Sequence, residues 1–209
     1  LMSASNLVLN RYLNQIDVLA TGGMGIAMKA NMLVVFLQMG IGMGIQPLVG
    51  YHYGARNFKK MSKIMRFSMV CTMGIGVTLT ILYFIFTEPL VSIFMTADGA
   101  ASAADVAIQQ GYAVKMLRAL MLSGPFLGLI FVCNFSLQGM GRGLSSLLLS
   151  ICRQGFVFLP ILVNATIGLN GIILAQPIAD LISVVLALIL AEAAKRRAER
   201  MQQSLQAKA

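Results

Sequence analysis

The sequence predicts an all-α fold, a polytopic membrane bundle of six transmembrane helices. Of its 209 residues, 58% are hydrophobic and only 11% charged, and the mean hydropathy is +0.82. A soluble domain of this size would have to leave much of that apolar surface in water. The apolar residues also fall in long unbroken runs rather than the short alternating segments of a transmembrane β-barrel. Finally, the cations sit in short clusters between those runs, the pattern that orients membrane helices.

Leu1 to about Gln15 reads as the closing part of a first helix. Asn6, Asn10 and Asn14 are spaced four apart, so three amides share one face. Asp17 and Thr21-Gly22-Gly23 form the expected turn after it. A second apolar run, about Met24 to Gly50, is long enough to cross a hydrocarbon core of roughly 30 Å. It carries Lys29, Asn31, Gln38 and Gln46, and its Gly40-x-x-x-Gly44 spacing predicts close helix approach. The run breaks at Pro47, passes Tyr51 and Tyr53, and enters a cationic linker of Arg56, Lys59, Lys60, Lys63 and Arg66.

The third run, about Ile64 to Phe86, is expected to stop at Glu88-Pro89, because proline cannot continue the helical hydrogen-bond ladder. Leu90 to Met95 is a short interfacial turn, and Asp98 to Asp105 a loop. The fourth run, about Val106 to Phe135, has Gly124-Pro125 in its middle and should kink there, neighbours supplying a partner for the freed carbonyl. A glycine-rich turn, Leu137 to Gly143, leads to the fifth run, Leu144 to about Ile167. After a hairpin at Gly168 to Gly171, the sixth run extends to Leu190. Residues 1–191 thus form a six-helix lobe. Glu192 to Ala209 is a charged helical tail in water.

Charge fixes the orientation by the positive-inside rule. The linker after the second run holds five cations, the turn after the fourth holds Arg142 with Arg153 close by, and the tail holds Lys195, Arg196, Arg197, Arg200 and Lys208. The alternate linkers are acidic, mixed or uncharged. Six crossings with a cytoplasmic C-terminus are therefore expected. The net charge of +9 belongs to this pattern, and no nucleic-acid-binding signature accompanies it. Cys71, Cys133 and Cys152 stand singly in apolar surroundings and suggest neither a disulfide framework nor a metal site. The start at Leu1, already inside a helical pattern, reads as a piece of something longer.

Three stretches carry a family resemblance. They are Gly44-Ile-Gln-Pro-Leu-Val-Gly-Tyr-His-Tyr-Gly-Ala-Arg56; Gln138-Gly-Met-Gly-Arg142 leading to Arg153-Gln154 and Pro160; and Gln176-Pro177-Ile-Ala-Asp180. In order and spacing, nearly the whole chain resembles the C-terminal half of multidrug and toxic compound extrusion (MATE) transporters, nearest the bacterial MepA-like branch. His52 departs from the asparagine often found there. The resemblance implies one of two six-helix lobes facing a central cavity in the bacterial inner membrane, its partner the N-terminal lobe. It also implies export of amphiphilic organic cations in exchange for Na⁺ or H⁺, with no other cofactor. Embedded acids handle the coupling ion in that family, and Asp180 is the one acid inside a crossing predicted here.

Mid-helix charge costs about 2.5–3.5 kcal/mol on insertion scales, so Asp180 should face protein or a wet cavity. Gln176 and Ser183, at i−4 and i+3, share its face. Ion or proton handling by Asp180 and Gln176 stands against simple packing. Asn6, Asn10, Lys29, Gln38, Asn134 and Gln138 are candidates for cavity lining. Against that, Lys29 can snorkel to the interface, and Asn134 with Gln138 can serve as interhelical hydrogen-bond glue. Tyr51, Tyr53, Arg56 and Arg153 are candidates for a cytoplasmic anchor or gate. The 15 methionines offer pliable apolar surface for varied ligands. No catalytic or nucleotide-binding motif marks an enzyme. Two rival functions remain, a flippase for lipid-linked oligosaccharides and a membrane scaffold subunit.

Overall fold

The computed structural model describes residues 18–95, 103–164 and 169–206. These form α1 (Val18–Gly54), α2 (Phe58–Ile85), α3 (Thr87–Met95), α4 (Ala103–Leu122), α5 (Gly124–Gly139), α6 (Gly143–Asn164) and α7 (Leu169–Gln206). Asn6 and Asn10 lie outside the described residues. The helical, apolar architecture agrees with the sequence reading. Helices α1, α2 and the Gln176–Ala198 part of α7 are each long and apolar enough to cross a membrane, and α4 and α5, bent by 49° at their break, meet the same length and composition test only when taken together. Helix α6 adds 22 residues, about 33 Å of axis.

Helix α1 is the spine, packing against α2, α4 and α5, while α7 packs on α5 and α6. Two apolar cores lie at opposite ends. One gathers Met24, Ala27, Ala30, Tyr83, Met116 and Leu117; the other gathers Val49, Met61, Leu137, Leu149, Ala191 and Ala194. Between them run small and polar residues: Gln38 and Gly42 on α1, Ser68, Thr72 and Gly76 on α2, all buried.

Several expected boundaries move. Thr21-Gly22-Gly23 is not a turn but lies inside α1. A side chain on Gly23 would sit 2.9 Å from Tyr112 Cβ and 3.0 Å from the Ala113 nitrogen of α4, so glycine here serves close packing. Pro47 does not break α1 either; its ring is on the exposed face, where it displaces no packing. The helix instead closes at Arg56, whose φ of 54° is left-handed. Arg56 N–H donates to the Tyr53 carbonyl (3.1 Å) and Asn57 N–H to that of His52 (2.9 Å). Asn57 then caps α2, accepting from Lys60 N–H. A left-handed non-glycine residue costs about 1–2 kcal/mol, so Arg56→Gly should raise thermal stability in detergent by about 1 kcal/mol.

Because α2 begins at Phe58, Lys59, Lys60, Lys63 and Arg66 ride on helix rather than on a linker. Likewise Glu88 and Pro89 do not end α2. It stops at Ile85, and they occupy the first turn of α3, where a missing N–H leaves no bond unmade.

The break between α4 and α5 follows from Pro125. Its lost N–H would have met the Met121 carbonyl, and Thr80 Oγ1 of α2 donates to that oxygen instead at 3.1 Å. Gln38 Nε2 donates to the Gly124 carbonyl at 2.9 Å. Thr80→Val keeps the shape but orphans the acceptor, and a loss of about 1–2 kcal/mol is expected, readable as an earlier melt in detergent.

Helix α7 runs unbroken through Pro177 for 38 residues. That is about 57 Å, far more than a core of roughly 30 Å requires, so its charged end projects beyond the apolar layer. Ala187, Ala191, Ala194 and Ala198 nevertheless stay buried against the second core, while Arg196 pairs with Glu192 at 3.1 Å on the open side.

Candidate functional site

Three helices meet at an ion pair. Arg153 of α6 donates through Nε to Asp180 Oδ1 of α7 at 2.9 Å. The guanidinium carbon lies 5.7 Å from the centre of the Phe131 ring of α5, within cation–π range. Phe131 stacks on Phe135 at 6.4 Å. Asp180 is 1% exposed and Arg153 19%, so the carboxylate is sealed while its partner keeps a path to the surface.

Arg153, grouped with Arg142 in the sequence reading, is set apart from it along α6. It stands ten residues into α6, about 15 Å along the axis. A cation left unpaired within an apolar bundle is costly, and Asp180 provides the counter-charge. The carboxylate is only half used, since Oδ2 is buried with no hydrogen-bond partner among the described residues. Ser183 is buried beside it, but its hydroxyl donates to the Ala179 carbonyl at 2.7 Å and leaves the acid alone. Gln176 lies one turn away, half-buried.

A polar seam continues from this pair between α5 and α6. Gln138 Nε2 donates to Ser146 Oγ at 2.9 Å, and Ser146 Oγ donates to Asn134 Oδ1. Asn134 Nδ2 reaches Ser150 Oγ at 3.4 Å, and Ser150 donates back to the Ser146 carbonyl. The seam leads toward Arg142, where α5 closes on Gly141 (φ +72°). Here Gly141 N–H bonds to the Gln138 carbonyl and Arg142 N–H to that of Leu137, each at 2.9 Å. That is the same closure as at Arg56, and the two turns are neighbours because Gly50 of α1 touches Gly139 of α5. Arg56, Lys59, Lys63, Arg142 and Arg197 are thereby gathered at one end of the bundle.

The other predicted site residues lie elsewhere. Gln38 does not line an open face: it is fully buried, drawn inward by the carbonyl at the α4–α5 break. Lys29 is exposed on α1. Tyr51 is 72% exposed and meets His52 edge-on at 5.3 Å; Tyr53 is half-buried against Phe58 at 5.8 Å. Residue reading missed Phe131, Ser146 and Ser150. The serines share the four-residue spacing of Asn134 and Gln138, so two matched polar faces were available as a signal.

The model of the family described as MatE matches residues 1–166. Among curated proteins, the chain is 28% identical over 192 residues to the multidrug export protein MepA of Staphylococcus saprophyticus, covering 91% of this chain and 40% of that protein. It is 23% identical over 180 residues to an FAD transporter of Shewanella oneidensis, covering 85% and 38%. Among solved structures, a MATE protein in complex with MaL6 superposes with a TM-score of 0.83 at 17% identity, covering 95% of this chain and 44% of that one. An outward-facing MATE family multidrug resistance transporter gives 0.82 at 18%, covering 95% and 44%. The chain thus spans about two fifths of the length of the curated relatives it matches.

Proposed function

This chain belongs to the MatE family, and on that footing we propose that it is the C-terminal lobe of a multidrug efflux antiporter driven by Na⁺ or H⁺. The relatives named as multidrug export proteins support the transport reading. The observation that carries the coupling reading is the buried Asp180, held by Arg153 through one oxygen while the other has no partner among the described residues.

A proton or Na⁺ arriving at Oδ2 competes with Arg153 for the carboxylate. Neutralising the acid frees the guanidinium, which keeps the Phe131 face and its opening to the surface. The junction of α5, α6 and α7 then has two arrangements, one with the pair closed and one with it open. Alternating access needs such a two-state element near the bilayer midplane. The substrates are amphiphilic organic cations, received between this lobe and an N-terminal lobe. The membrane is the bacterial inner membrane. The gathering of Arg56, Lys59, Lys63, Arg142 and Arg197 at one end supports a cytoplasmic C-terminus.

Reconstitution of the two-lobe transporter in vesicles, with ethidium efflux followed under imposed Na⁺ and pH gradients, tests both parts. Gradient-dependent efflux is expected, and its absence would sink the exporter reading. In Asp180→Asn the dependence on pH or Na⁺ should change; an unchanged dependence would reduce the pair to packing.

A further inference from the structure

We propose that the outer face of α2 is a binding site for an anionic glycerophospholipid. Two shallow cavities lie end to end along this helix and share Val70. The first, of 390 Å³, is lined by Lys59, Ser62, Lys63 and Arg66, with Phe67 beside Val70. The second, of 420 Å³, continues past Gly74 and Ile75 to Leu79. The groove is cationic at one end and apolar along the rest.

Lys59, Lys63 and Arg66 fall at i, i+4 and i+7, on one face. Among the described residues none of the three has a carboxylate partner, and the first turn of α2 contains no acid. Lys59 also lies in the first turn of α2, at the positive end of the helix dipole, where a cation is unfavourable and an anion is favoured. Ser62 Oγ, buried beside this groove, has no hydrogen-bond partner among the described residues. A phosphate diester answers all three conditions: it is anionic, it accepts from several donors, and it sits at the level where the helix leaves the hydrocarbon.

The apolar part fits the remainder of such a molecule. Arg66 to Leu79 spans about 20 Å of helix axis, about two thirds of a roughly 30 Å core, which is long enough to hold an acyl chain across one leaflet. Phe67 and Val70 are about seven-tenths exposed at the junction. At Gly74 a side chain would meet nothing within 4 Å, so the groove is open there. A protein partner would have to leave three clustered cations facing acids of its own across a strip that is otherwise lipid-like, which makes lipid the better occupant.

Native mass spectrometry of the detergent-purified chain with phosphatidylglycerol or phosphatidylcholine tests this. Phosphatidylglycerol should be retained in preference. Each cation removed should weaken it roughly fivefold, so Lys59→Ala/Lys63→Ala/Arg66→Ala should lower retention more than tenfold, to the phosphatidylcholine level. Gly74→Leu, whose β-carbon meets nothing within 4 Å, adds bulk to the groove and should weaken both lipids. Glycerol phosphate at equal concentration should not displace the lipid, and Lys195→Ala/Arg197→Ala should retain it. Wild-type retention in the triple variant would overturn the proposal, as would displacement by glycerol phosphate or an equal loss in the Lys195/Arg197 variant.

Discussion

Gly139→Ala is expected to destabilise the protein, although alanine is the better helix former. A β-carbon at residue 139 would lie 2.6 Å from the Gln46 carbonyl oxygen and 3.3 Å from the Gly50 nitrogen, both backbone atoms of α1. A backbone cannot turn aside as a side chain can, so α1 and α5 must separate along their contact. Overpacking of this kind costs about 1–3 kcal/mol, against a propensity gain of about 1 kcal/mol for Gly→Ala. The net loss should be up to about 2 kcal/mol, an earlier melt in detergent. Gly44→Ala is the control with the opposite sign. Nothing lies within 4 Å of its β-position, so only the propensity gain remains and the melt should move up by as much as about 1 kcal/mol. Equal shifts for both variants would mean that α1 and α5 do not meet at these glycines.

The same pair of residues marks where the sequence was legible and where it was not. That α1 is a glycine-bearing membrane helix follows from the order of residues alone. Which glycines touch a neighbour does not, because Gly40, Gly42, Gly44 and Gly50 lie on overlapping rows and periodicity leaves the inward row open. The Gly40–Gly44 spacing pointed to close approach, yet both face open space, whereas Gly42 meets Phe135 and Gly50 meets Gly139. The kink at Pro125 was legible with its cause, since a missing N–H has a definite consequence; the partner, Thr80, lies on another helix and was not. Cations were read as topogenic markers. Lys59 and Arg197 lie at one end of the bundle, whereas Arg153 is held in an ion pair. Its counter-charge is 27 residues away in sequence, and only the packing of α6 on α7 brings the two together. Asn134 and Gln138 were correctly placed on one face, and hydrogen bonds across to α6 now occupy them.

Arg153→Ala should be the most damaging single substitution at the candidate site. It leaves the Asp180 carboxylate, 1% exposed, with neither oxygen satisfied, and stranding one member of a buried pair costs about 3–5 kcal/mol. Asp180→Leu strands the arginine instead, but that side chain is 19% exposed and retains the Phe131 face, so the loss should be smaller. The double variant Arg153→Met/Asp180→Leu removes both charges and fills the space with apolar atoms. Such replacements are often neutral or stabilising by about 1–4 kcal/mol, so its melt should return to wild type or above. With Arg153→Met added as the second single variant, wild type, Arg153→Met, Asp180→Leu and the double variant form a cycle in which the pair's coupling is the difference between the double loss and the summed single losses. Purely additive losses would mean that no pair forms. Stability restored together with lost gradient-driven efflux would separate the two roles, because a pair kept only for packing is dispensable once its space is filled, whereas a pair that exchanges its counter-charge during transport is not.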